Sequence, residues 1–230
     1  QRATAEALGD RAGVAAACGD LGNCYISTGD FARARELYEQ DKSISKALGD
    51  RGGVARACGN LGNCYYHTGD VARACKMYQQ YGKMAEELGN SAAVAAACDH
   101  IGLCFYRVGD YERARKLHEK SKTICEALGD RAGVARACGN LGNCYCSTGD
   151  YGRARELHEQ HRAVEEALGD RAGVATACGN LGDCCLNTGD YGRAISYFTQ
   201  QYDMAKELQV ETHQAKAALG VGVALRLEVR

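Results

Sequence analysis

Fourteen cysteines and six histidines are the first candidates for chemistry in this chain. Thiolates and imidazoles can hold soft metals, close disulfides or act as nucleophile and base. Spacing along a helix argues against a shared ion. Cys58 and Cys64 lie six residues apart, about 9 Å along a helix axis and about 120° around it, whereas zinc ligands converge within about 2.3 Å of one ion. Cysteines at equivalent positions of neighbouring repeat units are expected at helix-packing distance, about 8 to 10 Å, which is beyond the reach of a disulfide. Cys18, Cys58, Cys98, Cys138 and Cys178 therefore read as small buried hydrophobes. Cys75, Cys125, Cys146 and Cys185 fall off that register and leave room for one exposed, reactive thiol. No metal site and no cofactor follow from the pattern.

Among the histidines, His118 and His158 share a slot with Tyr38, Tyr78 and Phe198 and read as packing groups, while His67 and His100 fall on a polar face and read as binding groups. No Ser/His/Asp, Cys/His or paired-carboxylate arrangement recurs in a catalytic form. The glycine-containing strings do not follow a strand, so they do not make a phosphate loop. The chain is not read as an enzyme.

Asparagine is the more informative polar residue. Asn23, Asn60, Asn63, Asn140, Asn143 and Asn180 repeat on one helical face, although asparagine is a mediocre helix former and packing is expected to give it nothing there. A ladder of amides, each with a donor and an acceptor, can clamp the main chain of an extended peptide. Gly19, Gly59, Gly139 and Gly179 lie beside the ladder and are expected to let that main chain approach. Arg56, His67, His100, Arg107 and Arg136 make the middle of the face cationic, and Asp183, Asn187, Asp20 and Asp99 complete or counterweigh it. A second ladder, Arg33, Arg73, Arg113, Arg153 and Arg193, sits three residues past each Gly-Asp pair, where a helix dipole disfavours cations; these are expected to pair with acidic neighbours such as Asp30 or Glu36.

The elements that must position these groups follow from a repeat. Gly-Asp-Arg-Ala-Gly-Val-Ala begins at Gly9, Gly129 and Gly169, with variants at Gly49 and Gly89, a spacing of 40 residues. Self-similarity at such a period marks a stacked array in which each unit buries its face on its neighbours. Five units, 9–48, 49–88, 89–128, 129–168 and 169–208, are expected as one array over 1–230. Residues 1–8 match the end of a preceding second helix, and 209–230 match a terminal capping helix, so the chain reads as a fragment of a longer array.

Each unit holds two helical patterns separated by Gly-Asp. The glycine suits the left-handed position that ends one helix, and the aspartate can cap the next. Helices of about 18 residues, roughly 27 Å long, joined by such short linkers must form antiparallel hairpins. In the second unit Val54, Ala57, Cys58, Leu61, Cys64 and Tyr65 project to one side as a core face. Gly22, Gly62, Gly102, Gly142 and Gly182 recur beside that face. A mid-helix glycine costs roughly 1 kcal/mol relative to alanine, so its recurrence predicts a close approach that a methyl group would obstruct. Ala34, Ala74, Ala114, Ala154 and Ala194 take the matching part on the second helix.

Composition narrows the functional classes. Lys+Arg 28 against Asp+Glu 29 leaves a formal charge of -1, with no basic excess to hold a nucleic-acid backbone. No run of about 18 apolar residues could span a bilayer. The chain reads as soluble and cytoplasmic, with no membrane insertion.

The strings Leu61-Gly62, Tyr65, Ala74 and Tyr78 carry a pattern that resembles the tetratricopeptide repeat. Gly129-Asp130-Arg131-Ala132, Gly139-Asn140-Leu141-Gly142-Asn143 and Tyr151 through Ala154 to His158-Glu159-Gln160 are similar to the 40-residue repeats of the Pins/LGN family. The resemblance implies an all-α, right-handed superhelical solenoid whose first helices line a concave groove. It also implies a protein-interaction adaptor that binds Glu-rich segments of cortical or spindle-orientation scaffolds. The expected function is a scaffold that binds an extended, acidic peptide segment through the amide ladder and the central cations. Two alternatives stand beside it: a structural module that self-associates end to end, and a regulatory domain of a larger signalling protein.

Overall fold

The structure is a computed structural model that describes residues 9–229. The described residues form eleven helices and no strand. In chain order these are α1 (Arg11–Ser27), α2 (Phe31–Ala47), α3 (Arg51–His67), α4 (Val71–Glu87), α5 (Ser91–Arg107), α6 (Tyr111–Leu128), α7 (Arg131–Ser147), α8 (Tyr151–Leu168), α9 (Arg171–Asn187), α10 (Tyr191–Glu207) and α11 (Glu211–Glu228). The expected helix end at residues 1–8 lies outside the described residues.

The helices group into two compact units, Gln1–Asp110 and Tyr111–Arg230. In the first, α1 to α5 stack as antiparallel neighbours, each packed on the next. In the second, α6 to α11 do the same, and α9 additionally touches both α7 and α11. No helix among the described residues is long and apolar enough to cross a membrane.

The Gly-Asp pairs act as the sequence predicts. The glycines between helices take left-handed φ, for example 86° at Gly69 and 79° at Gly29. The following aspartates cap the next helix: an Asp30 carboxylate oxygen accepts from the Arg33 amide at 3.1 Å, and Asp130 from Gly133 at 2.9 Å. Before α11 the pair is replaced by Gln209-Val210. Gln209 still adopts φ 58°, and Val210 offers no side-chain cap, so this last helix starts from a strained and uncapped turn.

Helix-to-helix packing explains the recurrent glycines. A Cβ added at Gly62 would lie 2.5 Å from the Tyr78 ring, and one at Gly182 would lie 2.6 Å from Phe198. Gly22 and Gly142 face Tyr38 and His158 in the same way, each at 2.5 Å. The obstruction is therefore the buried ring of the second helix, which lies across the glycine face of the first. His158 and His118 are fully buried in this aromatic slot, as expected. The alanines Ala34, Ala74, Ala114, Ala154 and Ala194 are also fully buried.

The arginine ladder is structural in the expected way. Arg33, Arg73, Arg153 and Arg193 each hold the capping aspartate three residues earlier, at 3.2 to 3.5 Å. Arg33, Arg73 and Arg153 also lie over Tyr25, Tyr65 and Tyr145. This pairing with the cap offsets the unfavourable helix dipole.

Candidate peptide-binding site

In the unit ending at Asp110, helices α3, α4 and α5 enclose a cavity of about 310 Å³. Arg56, Asn60 and Asn63 reach it from α3 and His100 from α5, while Tyr81 and Ala85 of α4 and Ala93 and Ala96 of α5 supply apolar walls. Four of the residues singled out from the sequence are thus brought to one concavity. Asn60 is half-buried, and among the described residues neither end of its amide has a partner. Asn63 accepts a hydrogen bond from the Tyr78 hydroxyl at 2.7 Å through Oδ1, and both residues line the cavity.

That bond corrects the expectation that packing gives the asparagines nothing. Asn23 likewise accepts from Tyr38 at 2.7 Å. Each asparagine satisfies the hydroxyl of a buried tyrosine that would otherwise lose its solvation. Burial pushes the Tyr38 hydroxyl up to about 12, and the Tyr78 hydroxyl is raised for the same reason. Where the slot holds His158 or Phe198, the counterparts Asn143 and Asp183 make no such bond. Asn143, Asn140 and Asn180 are half-buried on α7 and α9.

The flanking glycines also differ from expectation. Gly59 borders the cavity, and a Cβ there would make only ordinary contact with Tyr81 at 3.8 Å. A Cβ on Gly179 would meet Gln201 at 2.5 Å, and one on Gly139 would meet His161 at 3.2 Å. At those two positions the space belongs to a side chain of the adjoining second helix, because position 201 or 161 carries a bulky group that folds inward.

The cations are partly engaged within the protein. Arg56 lies 3.7 Å from the carboxylate of Asp41, which is fully buried and also receives the Ser45 hydroxyl at 3.0 Å. Burial raises the Asp41 carboxyl, against the pull of Ser45 and Arg56. Arg107 donates to the Tyr66 carbonyl at 2.8 Å and lies over the Tyr66 ring, 4.8 Å from its centroid. Its guanidinium therefore finishes the end of α3. His67 is exposed and stacks on Phe31 with centroids 5.2 Å apart, while His100 meets Tyr78 edge-on at 4.7 Å.

In the second unit Arg136 is exposed on α7. Asp183 is held by Lys216 at 3.0 Å, and Asn187 donates to the Asp183 carbonyl at 2.8 Å, folding back on its own helix. A further cavity of about 340 Å³, lined by Glu119, Lys122, Tyr145 and Arg153 among others, contains none of the residues singled out for binding.

The thiols divide as burial dictates. Cys18, Cys58, Cys98, Cys138 and Cys178 are buried, and desolvation raises Cys58, Cys138 and Cys178. Of the off-register four, Cys125 and Cys185 are buried and Cys75 and Cys146 half-buried, while the exposed thiol is Cys24. The separation expected for cysteines of neighbouring repeat units does not extend to Cys146 and Cys184. These are not equivalent positions, and their Sγ atoms lie 3.1 Å apart. The Cys146 thiol is drawn down by the Cys184 hydrogen bond, against burial, with help from His158. Cys184 is pushed up by that same bond and by burial.

Stacked antiparallel helix pairs, punctuated by Gly-Asp and locked by a glycine beneath an aromatic ring, define a helical repeat protein. The tetratricopeptide repeat family matches residues 14–87, 53–127, 91–167 and 134–207, and the chain belongs to that family. Its fold is similar to that of BtubC (BKLC) from P. vanneervenii, with a TM-score of 0.77 and 22% identity over 91% of this chain and 87% of that one. It is also similar to a putative kinesin light chain of Podosopora anserina with nearly identical repeats, at TM-score 0.69 and 19% identity over 84% and 95%. A Rap protein complexed with competence and sporulation factor gives a TM-score of 0.79 at 18% identity, over 91% of this chain and 61% of that protein. At these identities the likeness is one of fold. No curated protein matches the chain.

Proposed function

We propose that this chain is a protein-interaction scaffold that holds an extended, acidic segment of another protein. The observation that carries the reading is the cavity of about 310 Å³ in which Arg56, Asn60, Asn63 and His100 converge over alanine and tyrosine walls. Such a site offers apolar walls and a few placed polar groups, as ligand sites commonly do. Asn60 and the Asn63 Nδ2 can pair with a guest main chain, and Arg56 supplies positive charge at the mouth. Membership of the tetratricopeptide repeat family, whose proteins typically serve as interaction scaffolds, supports the same reading. So does a fold neighbour solved with a bound factor. The repeat strings similar to Pins/LGN point to cytoplasmic partners with Glu-rich segments, and within the second unit Arg136, Asn140, Asn143 and Asn180 offer groups of the same chemistry.

The test is fluorescence anisotropy with labelled Glu-rich peptides, compared with Lys-rich peptides of equal length. Acidic peptides are expected to bind and to weaken as salt rises, because an exposed arginine acts through a screened charge. Asn60→Ala should weaken capture by about 5-fold to 10-fold, the equivalent of one hydrogen bond of roughly 1 kcal/mol, with the melting transition unmoved. Equal binding of both peptide classes, or Asn60→Ala binding as wild type, refutes the reading.

A further inference from the structure

Helices α7, α8 and α9 bring Cys146, His158 and Cys184 into one cluster, with one donor atom of each lying within 4.8 Å of the others. The Cys146 Sγ is 3.1 Å from the Cys184 Sγ and 3.9 Å from His158 Nε2. We propose that these three side chains form a binding site for one Zn²⁺ ion.

The repeat isolates this cluster. At the same three offsets the chain reads Ile26, Tyr38, Cys64; then Tyr66, Tyr78, Cys104; then Tyr106, His118, Cys144; and Leu186, Phe198, Ala224. Only at 146, 158 and 184 do all three positions carry soft donors. The slot of His158 holds tyrosine at 38 and 78, phenylalanine at 198 and a second histidine at 118, and only beside His158 do both neighbouring positions carry thiols. The ring is fully buried, and its Nδ1 has no hydrogen-bond partner among the described residues. Its Nε2 is turned toward Cys146.

The two separations measured from Cys146 lie close to those of a shared ion. With bonds of about 2.3 Å to sulfur and about 2.0 Å to nitrogen, two tetrahedral donors sit roughly 3.6 to 3.8 Å apart. The two sulfurs need open by well under about 1 Å to reach that spacing. Thiolates and imidazole are donors suited to zinc and to monovalent copper. Two thiolates and a neutral imidazole balance a divalent cation, and the near-complete burial of Cys184 and His158 favours a neutral ensemble over a charged one. Cys146 is only half-buried, so water can complete a tetrahedron on its side. Binding displaces the thiol protons into solvent, and no redox step is involved.

The test uses the full chain, reduced with a phosphine and stripped of metal, then titrated with Zn²⁺ against a chromophoric chelator. Co²⁺ in parallel reports thiolate ligation through its charge-transfer absorption. One equivalent of Zn²⁺ is expected to bind, with a raised melting temperature and a thiolate-to-cobalt band. His158→Tyr and Cys146→Leu each borrow a residue from a sister repeat unit, and Asn143 stands where Asn63 accepts from Tyr78, so both variants should fold. Each should lose affinity by more than the roughly 10-fold to 100-fold that follows loss of an outer supporting partner. Undiminished uptake by either variant, which would mean that other cysteines hold the ion, overturns the proposal. So does the absence of Zn²⁺ uptake by the reduced wild type, whether Cu⁺ binds instead or the two thiols merely close a disulfide in air.

Discussion

Replacing Asn63 with alanine separates a structural asparagine from a binding one. The Tyr78 hydroxyl, on a side chain 3% exposed, donates to Asn63 at 2.7 Å. Removing the acceptor leaves a buried donor unpaired, which costs about 1 to 3 kcal/mol. Tyr78 also borders the cavity, so water can partly replace the amide, and the expected loss lies near 1 kcal/mol. Alanine also gains up to about 0.7 kcal/mol of helix propensity over asparagine, which obscures a single comparison with wild type. Asn143→Ala removes that ambiguity: it makes the same propensity gain with no tyrosine to orphan. The stability of Asn63→Ala should therefore fall below that of Asn143→Ala by roughly 1 to 2 kcal/mol. Adding Tyr78→Phe, the ring type found at Phe198, should recover most of the deficit, because removing both partners is nearly neutral. With Trp 0 in the chain, urea denaturation is followed by far-ultraviolet circular dichroism. Hydrogen exchange localises the loss to α3 and α4, since an array need not unfold as one state. Equal stabilities for Asn63→Ala and Asn143→Ala, or a double variant no better than the single one, would refute the proposed role of the tyrosine bond.

Gly62→Ala should destabilise by about 1 to 3 kcal/mol through overpacking against Tyr78, whereas Gly222→Ala, where an added Cβ meets nothing within 4 Å, should stabilise by up to about 1 kcal/mol; thermal melts of the two variants check the opposite signs. His161 is held down to about 4 by burial, then by the charge of His158, with Asp170 opposing, and Glu165 lies 3.4 Å away with its carboxyl raised by burial. A histidine depressed in the folded state contributes stability that is complete above its unfolded value of about 6.5 and is lost as pH falls toward 4. The raised Glu165 acts in the opposite sense, favouring the fold as it protonates, and so blunts the loss at the acid end. His161→Ser, the residue at the equivalent Ser121, should flatten the decline between pH 6.5 and 4 in urea midpoints; an unchanged slope would show that other groups carry it.

Much of the fold is legible in the residues because its rules are local. Asp30 caps α2, and Gly69 adopts a left-handed φ, through contacts that span three residues. The 40-residue period then dictates that whatever one unit does its neighbours repeat. Gly62 could be read as a site of close approach because a mid-helix glycine has a standing cost. That the approaching group is the Tyr78 ring is a contact 16 residues distant. Asn63 was legible as a residue needing a reason, and the reason, a buried hydroxyl on the next helix, was not.

Period, helix pairing, caps and the need for a close approach at the recurrent glycines follow from the sequence alone, because each depends on backbone conformation and on spacing within one hairpin. Tertiary structure alone decided three other matters: that Arg56, Asn60, Asn63 and His100 share a cavity, that Arg107 turns away to the Tyr66 carbonyl, and that Cys146 and Cys184 meet across 38 residues. Repetition shows which positions are equivalent, but contact between units joins positions that are not. Those pairings depend on how far each helix is rotated and offset against the next, a quantity no periodicity encodes.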